Sequence, residues 1–195
     1  MKISKYLSSM LFSCFLFVPM ANSYDVTGTF GNLCEYIAQV QTDEKGSSNL
    51  CQFTPYLAGS FDYPLSTEWI LSPQLGFSIP QSGRDENIKK MNLFLLANTK
   101  YQLSSFHFTA GPGLFFTRLS GNGGTEELNN GTGMTSFPLP DRTIFTRNFI
   151  LNLGMGVDFH RYWSADLQTY IFNLLTSEDR AFSIAVSGTY HFGEF

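Results

Sequence analysis

The sequence predicts an all-β protein, an eight-stranded antiparallel up-and-down barrel that crosses a membrane with its strands. Three observations carry this expectation. Most of the chain alternates apolar and polar residues in stretches of about ten, the period of a sheet with one apolar face. The connections between these stretches alternate between short and long. Only 14% of the residues are charged while 16% are aromatic, 20 of them Phe; a soluble domain averages about 25% charged residues, so this chain has too few to coat a soluble exterior. No apolar run of transmembrane-helix length follows the first residues, which excludes helical spans of the ~20 residues a bilayer needs.

Residues 1–23 read as a signal peptide. Lys2 and Lys5 form its positive start, Leu11 to Val18 its apolar run, and Ala21 and Ser23 place small residues at a cleavage site. The run is too short to anchor the chain, so the barrel domain is expected over residues 24–195, beginning at Tyr24. Cys14 lies inside the apolar run and leaves with it. Cys34 and Cys51 remain, an even count in an oxidising compartment, and are either a disulfide or two free thiols. Neither has the CxxC spacing or neighbouring histidines of a metal or redox site, and no cofactor is implied.

The faces of seven strands can be written out directly. Over residues 53–63, Phe53, Leu57, Phe61 and Tyr63 oppose Thr54, Tyr56, Ala58, Ser60 and Asp62. Trp69, Leu71, Leu75, Phe77 and Ile79 then oppose Ile70, Ser72, Gln74, Gly76 and Ser78. Met91, Leu93, Leu95 and Tyr101 oppose Asn92, Phe94, Leu96, Asn98 and Lys100. Phe106, Phe108, Leu114 and Phe116 oppose His107, Thr109, Gly111, Gly113 and Phe115. Phe149, Leu151, Leu153, Met155 and Phe159 oppose Asn148, Ile150, Asn152, Gly154 and Asp158. Two more strands run over 163–174 and 182–192. An eighth precedes them all, best placed at Tyr24 to Phe30, with residues 32–41 either extending it or starting the first loop.

The short connections resemble one another: Asp62 to Thr67, Lys100 to Ser105 and His160 to Ala165. The long ones are polar: Thr42 to Asn49, Gln81 to Asn87, Arg118 to Arg142 and Thr176 to Arg180. Tight turns at one end and long loops at the other describe an outer-membrane barrel, and an even strand count puts both termini at the short-turn end.

Periodicity alone does not say which face is outside, but volume does. Eight strands enclose an interior only just wide enough for side chains. The apolar face carries Phe, Trp, Leu and Met at nearly every step, whereas the other is rich in small polar residues and Gly, so the apolar face is expected to meet lipid. Tyr63, Trp69, Tyr101, Phe106, Phe159, Trp163 and Tyr190 cluster beside the short turns, where an interfacial girdle belongs. The alternative is a soluble lipocalin-like periplasmic binder with the sheet turned the other way.

In this architecture, and in its last strand, Ile184-Ala-Val-Ser-Gly-Thr-Tyr-His-Phe192, the chain resembles the small outer-membrane barrels of the OmpA transmembrane-domain and OmpX type. The resemblance implies a bacterial outer-membrane location and passage through the barrel-assembly machinery. Tyr190 and Phe192 are then the assembly-signal residues, with Phe195 as the terminal aromatic because Gly193-Glu194-Phe195 extend the chain past the usual end. No peptidoglycan-binding domain is expected after the barrel, so the resemblance does not imply a cell-wall tether.

Chemistry-bearing residues are few. His107 and His191 alternate onto the inward face near the short turns, close to Asp62, Glu68, Lys100, Asp158 and Asp166, and an internal polar network plugging the barrel is expected, because buried charges must be paired. Some barrels of this size modify lipid A, and the deacylases among them carry a His-x-Ser pair, which is absent here. His160 and Ser164 lie four apart across a short turn, the wrong end for the outer leaflet, so no enzyme is expected. Gly121-Asn-Gly-Gly124 and Asn130-Gly-Thr-Gly133 lack the ending of a phosphate cradle. The loop Arg118 to Arg142, with Met134, Phe137, Pro138 and Leu139 at its tip, is the candidate contact with an external partner. Arg118, Arg142 and Arg147 are placed to meet anionic head groups of outer-membrane lipid, lipopolysaccharide included. A net charge of −4 argues against nucleic acid. The expected role is structural or surface-interacting, through the extracellular loops; a lipid A-modifying enzyme comes second and a narrow channel third.

Overall fold

A computed structural model describes residues 24–35, 41–42, 48–49, 54–82, 89–129, 133–138, 140–176 and 180–194. Eight strands form the wall: β1 (Asp25–Cys34), β2 (Pro55–Pro64), β3 (Trp69–Ser78), β4 (Lys89–Leu103), β5 (Phe106–Ser120), β6 (Ile144–His160), β7 (Trp163–Phe172) and β8 (Ala181–Glu194). Each pairs antiparallel with its sequence neighbours, and β1 pairs with β8 through Thr29 opposite Thr189, Gly31 opposite Ser187 and Cys34 opposite Ile184. That last ladder closes the sheet, so no barrel edge is left unpaired. The fold is an eight-stranded antiparallel up-and-down transmembrane barrel.

Alternation decides the two surfaces. Along β5, His107, Thr109, Gly111, Gly113 and Phe115 are buried while Phe106, Phe108, Ala110, Pro112 and Leu114 between them are exposed. Exposed Phe30, Phe61, Leu75, Leu95, Phe149 and Val186 carry the same apolar exterior around the barrel. A soluble barrel exposes polar side chains; this one buries them and presents hydrocarbon, the arrangement that lipid stabilises. At the short-turn end the exterior becomes aromatic, with Trp69 against Tyr101 and Trp163 against Tyr190, each pair at 5.0 Å between ring centroids.

On the loop side the structure chooses between the alternatives left open for the first strand and shortens two of the expected loops. β1 continues past Phe30 to Cys34, because Gly31, Asn32 and Leu33 stay on the β8 ladder and the Leu33 amide donates to the Thr54 carbonyl. The stretch read as one long loop from Arg118 is shorter: β5 runs to Ser120, and Thr125–Asn129 pairs with Met134–Pro138 in a hairpin. Gln81–Ser82 also prolongs the wall beside Lys89 and Lys90. As a result β4, β5 and β6, at 15, 15 and 17 residues, stand taller than β1, β2, β3 and β7, at 10 each.

Candidate functional site: the filled lumen and its short-turn mouth

Three carboxylate-centred clusters line the interior near the short turns. On β2, the Asp62 carboxylate accepts from Lys100 Nζ at 2.8 Å and from the Ser72 hydroxyl at 2.5 Å. On β7, Asp166 accepts from His107 Nε2 at 2.7 Å and from the Thr189 hydroxyl at 2.8 Å. The other nitrogen of His107 lies 3.3 Å from Asp158, whose second oxygen accepts from Gln102 Nε2 at 2.6 Å. A ring flanked by carboxylates on both nitrogens suits an imidazolium, since only that form donates twice. Thr29 meets the Thr189 hydroxyl at 3.0 Å, so one hydrogen-bonded chain runs from β1 through β8, β7 and β5 to β6 and β4. The third cluster joins His191 Nδ1 to Asp25 at 2.7 Å, with the Gly193 amide donating to the same carboxylate.

Of the residues expected in this network, Asp62, Lys100, His107, Asp158, Asp166 and His191 all face the lumen. Glu68 does not. The alternation that would point it inward stops one residue earlier, because residues 65–68 form a bend in which the Ser66 hydroxyl accepts from the amides of Glu68 and Trp69. Glu68 is exposed, and Ile70 is the next residue facing the lumen mouth. Asp25 and Gln102 belong to the network although the sequence reading passed them over. Gln102 keeps the inward phase of Lys100, and that phase is the available signal; Asp25 shares the inward face of Thr27 on β1.

Tyr190 and Phe192 stand next to each other on the exterior face of β8 at 5.1 Å; Phe195 lies outside the described residues. Cys34 is disulfide-bonded, and Cys51 lies outside the described residues. Arg118 and Arg147 are exposed on the outer wall, and Arg142 is exposed in the bend before β6. Residues 1–23 are outside the described set.

The lumen has two levels. Below, the charged clusters surround a recess of about 520 Å³ that opens at the short turns and is lined by Asp25, Asp62, Lys100, His107, Asp158 and His191 among others. Deeper, between Ser60, Gln74, Asn98, Thr109 and Gln168, the free space falls to about 10 Å³, the room of a single water. Above, Tyr56, Phe94, Phe115, Tyr170 and Phe172 fill the bore. Phe94 and Phe115 stack at 6.2 Å, Tyr56 meets Phe94 edge-on at 5.6 Å, and Phe172 meets Phe115 edge-on at 5.1 Å. At the loop-side rim a polar layer returns: Glu35 accepts from Lys90 and from Asn92, and Asn92 accepts from Thr117 at 2.9 Å.

Chemically the short-turn clusters are pairs of opposite charge. Asp25, His191 and Ser164 do fall in line, with 3.4 Å from His191 Nε2 to the Ser164 hydroxyl. That hydroxyl belongs to a residue 2% exposed and does not line the recess. Among the described residues no group of three or more His, Cys, Asp or Glu is arranged to hold a metal ion.

No protein-family model and no curated protein matches the sequence. Among solved structures, the chain is similar to Ail, the attachment invasion locus protein of Yersinia pestis, with a TM-score of 0.48 and 9% identity over 89% of this chain and all of that one. It is also similar to Neisserial surface protein A, with a TM-score of 0.47 and 8% identity over 87% of this chain and 97% of that one. A third is the N-terminal β-barrel domain of Pseudomonas aeruginosa OprF, with a TM-score of 0.42 and 12% identity over 88% and 98%. Such distant likenesses add nothing to the barrel that the chain's own pairing already defines. By that pairing, its closure and its apolar exterior, the chain is a small eight-stranded up-and-down transmembrane β-barrel.

Proposed function

We propose that the protein is a bacterial outer-membrane barrel with a structural or surface-interaction role, acting through its extracellular loops, and that its lumen is a plug rather than a conduit. The observation that carries this reading is the filling of the bore at two heights, by paired charges below and aromatic rings above. A wall whose exterior meets lipid, and whose bore is closed above the recess at the short turns, leaves its two rims to interact with anything else. Catalysis is not part of the proposal, because Ser164, which among the described residues lies in line with His191 and Asp25, is buried. Export by cleavage before Tyr24, and delivery of β8 with Tyr190 and Phe192 to the assembly machinery, complete the reading.

Heat modifiability tests it. The outer-membrane fraction is run on a denaturing gel with and without boiling. A mobility shift on boiling is expected, because a closed barrel survives the detergent until heated, and purified protein in planar bilayers is expected to give no steady conductance. A protein found in the soluble fraction with no shift would overturn the membrane placement in favour of a periplasmic binder. Steady open channels would overturn the plug.

A further inference from the structure

From the tall wall of the barrel we infer a binding site for the phosphate-bearing headgroup of an outer-leaflet glycolipid of the lipopolysaccharide kind, formed by Lys89, Arg118 and Arg147. The inference rests on the membrane placement proposed above. The three residues sit on the adjacent strands β4, β5 and β6, all exposed and all on the outer face. Arg118 is opposite Met91 on one side and Phe145 on the other, which puts Lys89 and Arg147 two positions along on either flank. Diagonal neighbours of this kind stand roughly 7–8 Å apart, so Arg118 is within reach of sharing an anionic group with Lys89 on one side and with Arg147 on the other.

Their height fits a headgroup. Each lies 12 to 14 residues from the short-turn end of its strand, counted from Lys89 to Leu103, Phe106 to Arg118 and Arg147 to His160. With a rise of about 3.3 Å per residue and a tilt near 40°, that is roughly 30–35 Å above the short turns, whereas the apolar band of such barrels is roughly 25 Å tall. Beneath the cations the same strands present Leu93, Leu95, Leu114, Phe149 and Leu153 to the outside, a surface for acyl chains. An amphiphile with its anion at the top and hydrocarbon below matches both levels at once.

The charges are also available. Among the described residues no carboxylate lies within ion-pair distance of Lys89, Arg118 or Arg147, whereas Lys90, one residue along and facing inward, is paired with Glu35. Arg118 is steadied by its guanidinium lying 5.9 Å from the centre of the Phe145 ring, itself 73% exposed. That stack restricts the side chain without neutralising it. A guanidinium held in place at the membrane surface is well suited to a phosphate, which it meets with paired N–H donors.

The test uses the full mature chain folded into phosphatidylcholine vesicles that carry a small fraction of phosphorylated lipid A or of the same lipid with its phosphates removed. Lipid retained by the purified barrel is measured by native mass spectrometry over a titration. Arg118→Gln with Arg147→Gln is expected to weaken retention of the phosphorylated lipid about 25-fold, at about five-fold for each basic residue near the surface. The dephosphorylated lipid is expected to bind the unaltered barrel as weakly, and Arg161→Gln, at the short-turn end, to change nothing. Equal retention of the two lipids by the unaltered barrel, or full retention by the double variant, would overturn the site. Displacement by millimolar inorganic phosphate would overturn the lipid as its ligand and make it a site for a soluble anion. The heat shift on the gel is scored in parallel, so loss of phosphate dependence with the shift intact sinks this site and leaves the barrel standing. Should the double variant lose the shift, Lys89→Gln alone carries the test, with a five-fold loss expected.

Discussion

The two ends of the lumen solve one packing problem in opposite ways. Behind the short turns the bore is filled by Lys100 on Asp62, by His107 between Asp158 and Asp166, and by hydroxyls that complete each carboxylate. Behind the long loops it is filled by Tyr56, Phe94, Phe115, Tyr170 and Phe172. Each end needs a glycine to admit its ring. A Cβ on Gly156 would collide with the His107 imidazole and the Asp166 carboxylate, and one on Gly76 would collide with the ring of Phe94. The polar end stays beside a water-accessible recess and so keeps some relief from the cost of burying charge. Apart from a hydrogen bond from the Tyr170 hydroxyl to Gln168 at 3.1 Å, the aromatic end relies on contact, where a lost ring has no substitute.

The largest effect should therefore come from the aromatic end. Phe94→Ala removes the ring that touches Tyr56, Phe115 and Tyr170, and truncation of a fully packed Phe costs about 3–5 kcal/mol. Urea unfolding of the barrel in vesicles, followed by tryptophan fluorescence, measures it. A loss under about 1 kcal/mol would mean that the rings are passengers and the wall alone holds the barrel.

Lys100→Met should cost less, although it breaks an ion pair. Loss of one partner of a buried pair costs about 3–5 kcal/mol. Here Asp62 keeps the hydroxyls of Ser72 and Ser60, and the Lys100 side chain is 15% exposed beside the recess, so about 2–3 kcal/mol is expected. The same unfolding assay reads the change, and bilayer recordings show whether the aromatic layer still seals the bore. Unchanged stability together with unchanged conductance would mean that the polar end does not contribute to the plug.

The contrast between the ends also explains what could be read from the chain. Strands β2 to β8 were visible because lipid outside and a narrow bore inside enforce strict alternation, and alternation is a sequence property. The inward face, however, is polar on average, because Gly, Ser, Thr and Asn outnumber the rings. Sorted instead by distance from the short turns, Tyr56, Phe94, Phe115 and Phe172 fall together at the loop end of their strands. The continuation of β1 has no such signature, since Gly31 faces in and Asn32 faces out, and the β8 and β2 ladders on its two sides hold them. The 125–129 and 134–138 hairpin was equally hidden, because neither of its strands alternates. Glu68 was misplaced for the converse reason: a phase was carried one residue past the start of a strand, into a bend that follows its own hydrogen bonds.

Gly156→Ala should have the smallest effect and distinguishes best between the two modes of filling. A methyl group at this position must push His107 off Asp166, since its nearest neighbours are the imidazole and the carboxylate and both are tied by hydrogen bonds. Overpacking of a filled interior costs about 1–3 kcal/mol, and the imidazole can retreat toward the recess, so about 1–2 kcal/mol is expected. The decisive measurement is the double-mutant cycle with His107→Ala. If the glycine exists to seat the imidazole, alanine at 156 should be close to neutral once the ring is gone, giving a coupling about as large as the single-mutant cost. An unchanged cost in the His107→Ala background would place the constraint in the Asp166 carboxylate or the strand backbone, and the glycine would then not exist to seat the imidazole.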